Sequence, residues 1–218
     1  MLRQVLTAIP LKSLSTSKSR LSSLLHPSER SLLTVSMLRD VLNAVKGSMT
    51  VSDAVLISPD SDVLRLADEF GVRGISQKGG GLNEAVSQIV EWGLDNGASS
   101  ILILPSDVPL VTSEDIDMIA TLSSEPRSVV ISPSLDGGTN AMFQHPPGVI
   151  PPCYGSDSFR THLDLAIALR VRVEVYESPR LSLDIDSPED LKAFLRNPSK
   201  TFTYKLLSEL DLAKKFDA

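Results

Sequence analysis

The sequence predicts an α/β fold in which a mostly parallel central sheet lies between helices as a three-layer sandwich. One observation is the run Ile101-Leu102-Ile103-Leu104 closed by Pro105, four large aliphatics that read as a strand buried on both faces. A second is the alternation, up to residue 133, of such short apolar runs with segments of helical spacing, because parallel neighbours need a crossover between them. The third is the supply of apolar material. With 218 residues, 42% of them hydrophobic, the chain can cover one α/β domain, alone or with a small appendage.

The elements follow in order. Residues 4–10 form a short apolar strand stopped by Pro10, and a loop rich in Ser, Lys and Arg runs to Leu25. Pro27-Ser28-Glu29-Arg30 opens a helix whose apolar face ends at Gly47. Then come a strand over 54–58, a helix over 60–70 closed by Gly71, and a short strand over 72–76. Gly79-Gly80-Gly81 precedes a helix over 82–96, and the aliphatic strand ending at Asp107 follows. A helix over 113–122 and a strand over 128–132 complete this half. Beyond residue 133 the texture changes: Gly137-Gly138-Thr139-Asn140-Ala141 leads into a strand, and a Pro-rich loop covers 146–152. A helix is expected over 158–169, a strand over 171–176, an extended segment over 181–186 and a helix over 188–195. Residues 203–215 have helical spacing, as a docked terminal helix or an oligomer contact.

Composition removes several classes of function. Net charge is −6, from 21 basic and 27 acidic residues, which disfavours a nucleic-acid partner. Cys153 is the only cysteine, so neither an intramolecular disulfide nor a cysteine zinc or iron–sulfur site can form within one chain. Residues 1–10 lack the apolar core of a secretory signal, and no stretch approaches a membrane span. A cytoplasmic protein without a membrane partner is expected.

Asp107 carries the chemical argument. In open α/β sheets ligands bind at the carboxyl edge, and an ionised group emerging there from an apolar strand needs positive charge nearby. The alternative is that Asp107 caps the helix starting near Thr112. The first loop holds Lys12, Lys18 and Arg20, cations suited to a triphosphate, or else ordinary solvated charges. Asp184 and Asp186, two apart in an extended segment, point to one side, so that with Asp107 they can share a hard cation such as Mg2+; Asp186 can instead start the following helix. Thr139 and Asn140 on one glycine turn, with Gly155 and Ser158 before a helix, suggest a pocket for a phosphate or carboxylate, or two plain turns. His162 is expected to be packed or capped. Asn83 and Glu84, in the first turn after the three glycines, can read a guanine edge, although Glu84 equally suits a helix start.

Taken together, Ala8-Ile9-Pro10-Leu11-Lys12, Lys18-Ser19-Arg20-Leu21, Leu82-Asn83-Glu84-Ala85, Pro105-Ser106-Asp107-Val108-Pro109-Leu110, Gly138-Thr139-Asn140-Ala141, Tyr154-Gly155 and Asp184-Ile185-Asp186 resemble the 2-phospho-L-lactate guanylyltransferase family. The resemblance spans nearly the whole chain in the same order. It implies a Rossmann-like nucleotidyltransferase fold of the nucleotide-diphospho-sugar transferase type. It also implies transfer of GMP from GTP to 2-phospho-L-lactate, an early step towards coenzyme F-420, and a homodimer. On this resemblance Asp107, Asp184 and Asp186 hold Mg2+, Lys12, Lys18 and Arg20 attend the GTP phosphates, and Thr139, Gly155 and Ser158 contact the acid. The chain then reads as a single domain over 1–218, with a nucleotide-binding half (1–133), an acceptor and metal half (134–200) and a terminal helix (201–218). The usual Gly-rich segment of nucleotidyltransferases is absent from the first loop. Phosphoenolpyruvate and 3-phosphoglycerate remain open as acceptors; molybdopterin or sugar-phosphate transfer and an inactive nucleotide-binding regulator are the other readings.

Overall fold

The computed structural model describes residues 4–210 and 212. A seven-stranded sheet, in the order β3-β2-β1-β4-β6-β5-β7, organises the chain. Its strands are β1 (Val5–Pro10), β2 (Val51–Ser58), β3 (Arg73–Ser76), β4 (Ser100–Ile103), β5 (Ser128–Pro133), β6 (Thr139–His145) and β7 (Arg172–Val175). Helices α1 (Pro27–Gly47), α2 (Ser61–Glu69), α3 (Leu82–Asp95), α4 (Ser113–Leu122), α5 (Ser158–Ala168), α6 (Pro188–Leu195) and α7 (Phe202–Glu209) cover it.

The sheet is mostly parallel, with one reversal that apolar runs do not announce. β6 pairs antiparallel with both β4 and β5. The short turn at 134–138 forces this, since a parallel neighbour needs a crossover of a dozen or more residues. The reversal matters for position: an antiparallel strand begins where its parallel neighbours end, so Thr139 and Asn140 stand at the carboxyl edge beside the loops after β1 and β4.

Alternating residues of the central strands feed two cores. Ile9, Leu56, Leu102 and Phe143 pack under α1 and α4, while Ala8, Ile57, Ile103 and Met142 pack under α3 and α5. A third cluster was not expected from periodicity. Leu21 and Leu25 of the first loop meet Leu33 and Met37 of α1, Leu183 and Ile185, Leu191 and Phe194 of α6, and Leu207 and Leu212 of the tail. It anchors the Lys- and Arg-bearing loop and the segment with Asp184 and Asp186 to one apolar body. The tail up to Glu209 is the expected docked helix, and Asp40 of α1 accepts the first backbone N–H groups of α7. The rest of the expected 203–215 helix lies outside the described residues, Leu212 excepted. Among the described residues no helix is long and apolar enough to cross a membrane.

Two expected boundaries shift. Asp107 is not the last residue of β4; it lies in a turn four residues past Ile103, because Pro105 breaks the ladder. Residues 181–186 join no ladder, and Ile185 N–H reaches the Asp107 carbonyl at 3.0 Å. The side chains still alternate, with Leu183 and Ile185 buried in the third cluster and Asp184 and Asp186 turned the other way.

Candidate active site

A cleft of about 420 Å³ opens at the carboxyl edge of the sheet. Pro10, Leu11, Lys12 and residues 16–20 form one side, residues 105–107 the floor, and Thr139, Tyr154, Leu82 and Asp186 close the rest. The first loop is fixed in two places. Asp60, the N-cap of α2, accepts from Ser13 Oγ at 2.7 Å and from the Leu14 N–H at 3.0 Å; these bonds, led by Ser13, hold its carboxyl below the usual range. Thr34 of α1 donates to Ser17 Oγ at 2.9 Å.

Lys18 is the electrostatic centre. Its ammonium contacts Asp107 Oδ2 at 2.7 Å and Asp186 Oδ1 at 2.5 Å, and its side chain is only 7% exposed. Burial works against the charge, but the two carboxylates outweigh it and raise the Lys18 pKa above the ordinary lysine value. Its backbone is left-handed, with φ of 52°, and opens the turn Ser19–Leu21. Lys12 and Arg20 line the cleft with exposed side chains.

The helix-capping alternatives for the aspartates do not hold. Thr112 caps α4 and Ser187 caps α6, each accepting from its own N3 amide, so Asp107 and Asp186 are left to the cleft. The third carboxylate stands apart. Asn140 donates to Asp184 Oδ1 at 2.9 Å and to the Leu181 carbonyl at 2.7 Å. Burial, with the charges of Asp107 and Asp186 adding, pushes Asp184 up to about 6 against the Asn140 bond. Among the described residues no three metal-capable side chains are grouped to hold an ion as they stand. Lys18 takes the cationic place between two of the carboxylates. The chemistry of the three side chains, all carboxylates with hard oxygen atoms, suits a divalent cation such as Mg2+.

The expected acceptor pocket is sorted by the structure into one lining group and its supports. Thr139 lines the cleft. Ser158 is buried behind it and donates to Thr139 Oγ1 at 3.2 Å, while Asn140 is buried and turned to Asp184. Gly155 is exposed, with φ of 154°, and does not line the cleft. Its neighbour Tyr154, missing from the sequence-derived site, does line it, and the Tyr154 hydroxyl is buried without a protein partner. Burial raises that phenol far above its usual range, so it remains a donor. An aromatic directly before a glycine, Tyr154-Gly155, was the available signal.

Asn83 and Glu84 are not placed as base readers. The Asn83 amide bonds both ways with the Tyr154 main chain, donating to its carbonyl at 3.0 Å and accepting its N–H at 2.7 Å. Glu84 accepts the Gly80 N–H. Both groups shape the turn, and the cleft meets α3 through Leu82 instead. His162, expected to be packed or capped, is buried and hydrogen-bonded.

Comparison with known proteins identifies the family and the fold. The family model described as guanylyl transferase CofC like matches residues 5–218. A phosphoenolpyruvate guanylyltransferase of Rubrobacter xylanophilus is 40% identical over 86% of this chain and 91% of its own. A 2-phospho-L-lactate guanylyltransferase of Methanocaldococcus sp. FS406-22 is 34% identical over 94% of this chain and 87% of its own. Among solved structures, a protein from Desulfovibrio desulfuricans G20 described as a nucleotide-diphospho-sugar transferase superposes with a TM-score of 0.83. It covers 98% of both chains at 18% identity, a likeness of fold alone. With the family model spanning all but the first four residues and relatives at this identity over most of their length, the chain belongs to the CofC-like guanylyl transferase family.

Proposed function

We propose that this enzyme transfers GMP from GTP to the phosphate of 2-phospho-L-lactate, releasing pyrophosphate, within coenzyme F-420 biosynthesis. The observation that carries the reading is the make-up of the cleft: Lys12, Lys18 and Arg20 of the first loop, the hydroxyl-bearing Thr139 of β6, and Asp107 with Asp186, which meet the Lys18 ammonium. Cations on the first loop suit the triphosphate, and the neutral Thr139 hydroxyl suits a small phosphorylated acid. An acceptor phosphate oxygen attacks the α-phosphorus of GTP; the new P–O bond forms as the bond to the β-phosphate breaks. The attacking phosphate is already ionised at neutral pH, so no general base is required. Lys18 and Arg20 offset charge as the pyrophosphate leaves, and the cleft holds the reactants in line. Asp107, Asp184 and Asp186 would hold Mg2+, which supplies further neutralisation at the phosphates when bound.

Phosphoenolpyruvate is the second reading of the acceptor, favoured by the name of the relative at 40% identity. The two acids share a phosphate and a carboxylate and differ in the two remaining carbons, CH–CH3 in 2-phospho-L-lactate against C=CH2 in phosphoenolpyruvate. Turnover of GTP with 2-phospho-L-lactate, phosphoenolpyruvate and 3-phosphoglycerate, followed by pyrophosphate release, tests both: the true acceptor gives the highest kcat/KM, and no release with any of the three refutes the proposal.

A further inference from the structure

The wall of the cleft opposite the Lys-bearing loop contains a hydrogen-bond chain whose direction is set by its one unambiguous donor. The Cys153 backbone N–H can only donate, and it donates to His162 Nε2 at 2.9 Å. Nε2 therefore carries no proton, and the neutral ring holds its proton on Nδ1. Nδ1 lies 3.0 Å from Thr139 Oγ1, so it donates to that oxygen. Ser158 Oγ donates to the same oxygen at 3.2 Å. Thr139 Oγ1 thus accepts twice, which uses both lone pairs and leaves its own O–H to point elsewhere. The free direction is the cleft that Thr139 lines.

The ring is well placed to keep this order. His162 is fully buried, and its edge packs on Tyr154 with centroids 5.0 Å apart at 72°. Burial pushes its pKa down to about 4, so the ring is neutral at neutral pH.

We propose that His162 is a positioning residue for the acceptor subsite: its Nδ1–H tautomer, imposed by the Cys153 amide, makes Thr139 an obligatory donor towards an anionic acceptor. A hydroxyl free to rotate can turn a lone pair to an oxyanion, whereas this one cannot. The inference rests on the reading of the acceptor side given above. It extends that reading to a residue that does not itself line the cleft.

Two measurements test it. Nitrogen-15 NMR of the ring, assigned through backbone correlations to residue 162, is expected to show a protonated Nδ1 and a bare Nε2 at pH 7; an Nε2–H tautomer or an imidazolium overturns the proposal without any variant. In steady-state kinetics, His162→Leu is expected to raise KM for the acid at least fivefold with KM for GTP unchanged. His162→Gln, whose amide offers an acceptor and a donor at similar spacing, should retain most of the parent's affinity. Thr139→Val combined with His162→Leu should be no worse than Thr139→Val alone, because both remove one interaction. Parent-like kinetics for His162→Leu, or additive losses in the double variant, refute the positioning role. Coupled losses confined to KM for GTP would uphold the link between His162 and Thr139 while overturning the placement of the acceptor.

Discussion

Replacing Lys18 by Met keeps the length of the side chain and removes the charge that stands between Asp107 and Asp186. Two oxygens bonded to one nitrogen at 2.7 and 2.5 Å lie no more than about 5 Å apart. At that separation two negative charges repel by about 3 kcal/mol at an effective dielectric of about 20. Asp186 is 46% exposed, so solvent reduces the net cost to about 1 to 2 kcal/mol. For a chain of this size that corresponds to a Tm lowered by roughly 2 to 8 °C. Thermal unfolding at low ionic strength measures it. The loss should shrink at about 1 M salt, where screening acts within about 3 Å, and added magnesium should raise the Tm of Lys18→Met more than that of the parent. A parent-like Tm at low salt, or a loss indifferent to both salt and magnesium, would refute the view that the ammonium acts as a local counter-ion.

Asp107→Asn should lower turnover by on the order of a hundredfold or more in a chain that still folds, since one charged group at the phosphates contributes several kcal/mol in the transition state; turnover within about threefold of the parent removes Asp107 from the chemistry. Leu207→Ala, at a fully buried site in the third cluster, should cost about 2 to 5 kcal/mol by chemical denaturation, and a change below about 1 kcal/mol would show that α7 is not an integral part of that core. Stability should also depend on pH through His162. Its pKa is about 4 when folded against an ordinary 6.5, so the unfolded chain takes up the proton first. The His162 contribution then falls by roughly 3 kcal/mol as pH drops from about 6.5 to about 4. Asp184, pushed up to about 6 when folded, takes up its proton first in the folded chain and acts in the opposite sense over the same range, so the His162 share is read as the difference between parent and variant. His162→Gln should flatten this slope in urea titrations, and an unchanged slope would assign it to other groups.

Most elements were legible in the sequence because their signals are local. Pro27 at the start of α1, the capping box of Thr112 with Asp115, and Pro188 after Ser187 fix three helix starts within a residue of the reading. The period-two alternation at 181–186 put Asp184 and Asp186 on one side even though no strand forms there. What stayed hidden depends on direction and distance. An apolar run does not state whether its strand runs up or down, so the reversal of β6 was not legible. Lys18 meets carboxylates 89 and 168 positions away, and Asn83 clamps a backbone 71 positions away. In both cases a residue suited to a ligand is engaged by a protein group that sequence spacing cannot bring near it.

The third hydrophobic cluster bears on how the enzyme comes into being at the ribosome. Lys18 and Arg20 are made long before Leu183 and Ile185, on which their loop is seated and which in turn pack with Leu207 and Leu212. The sheet can pair as its strands emerge, but the loop's apolar partners at 183–212 leave the exit tunnel only after all seven strands have been made. A nascent chain stopped after β7 would carry a nearly complete sheet and both flanking cores while its phosphate-facing loop still lacked its base. The loop that carries the cations is therefore seated later than the sheet whose edge it serves.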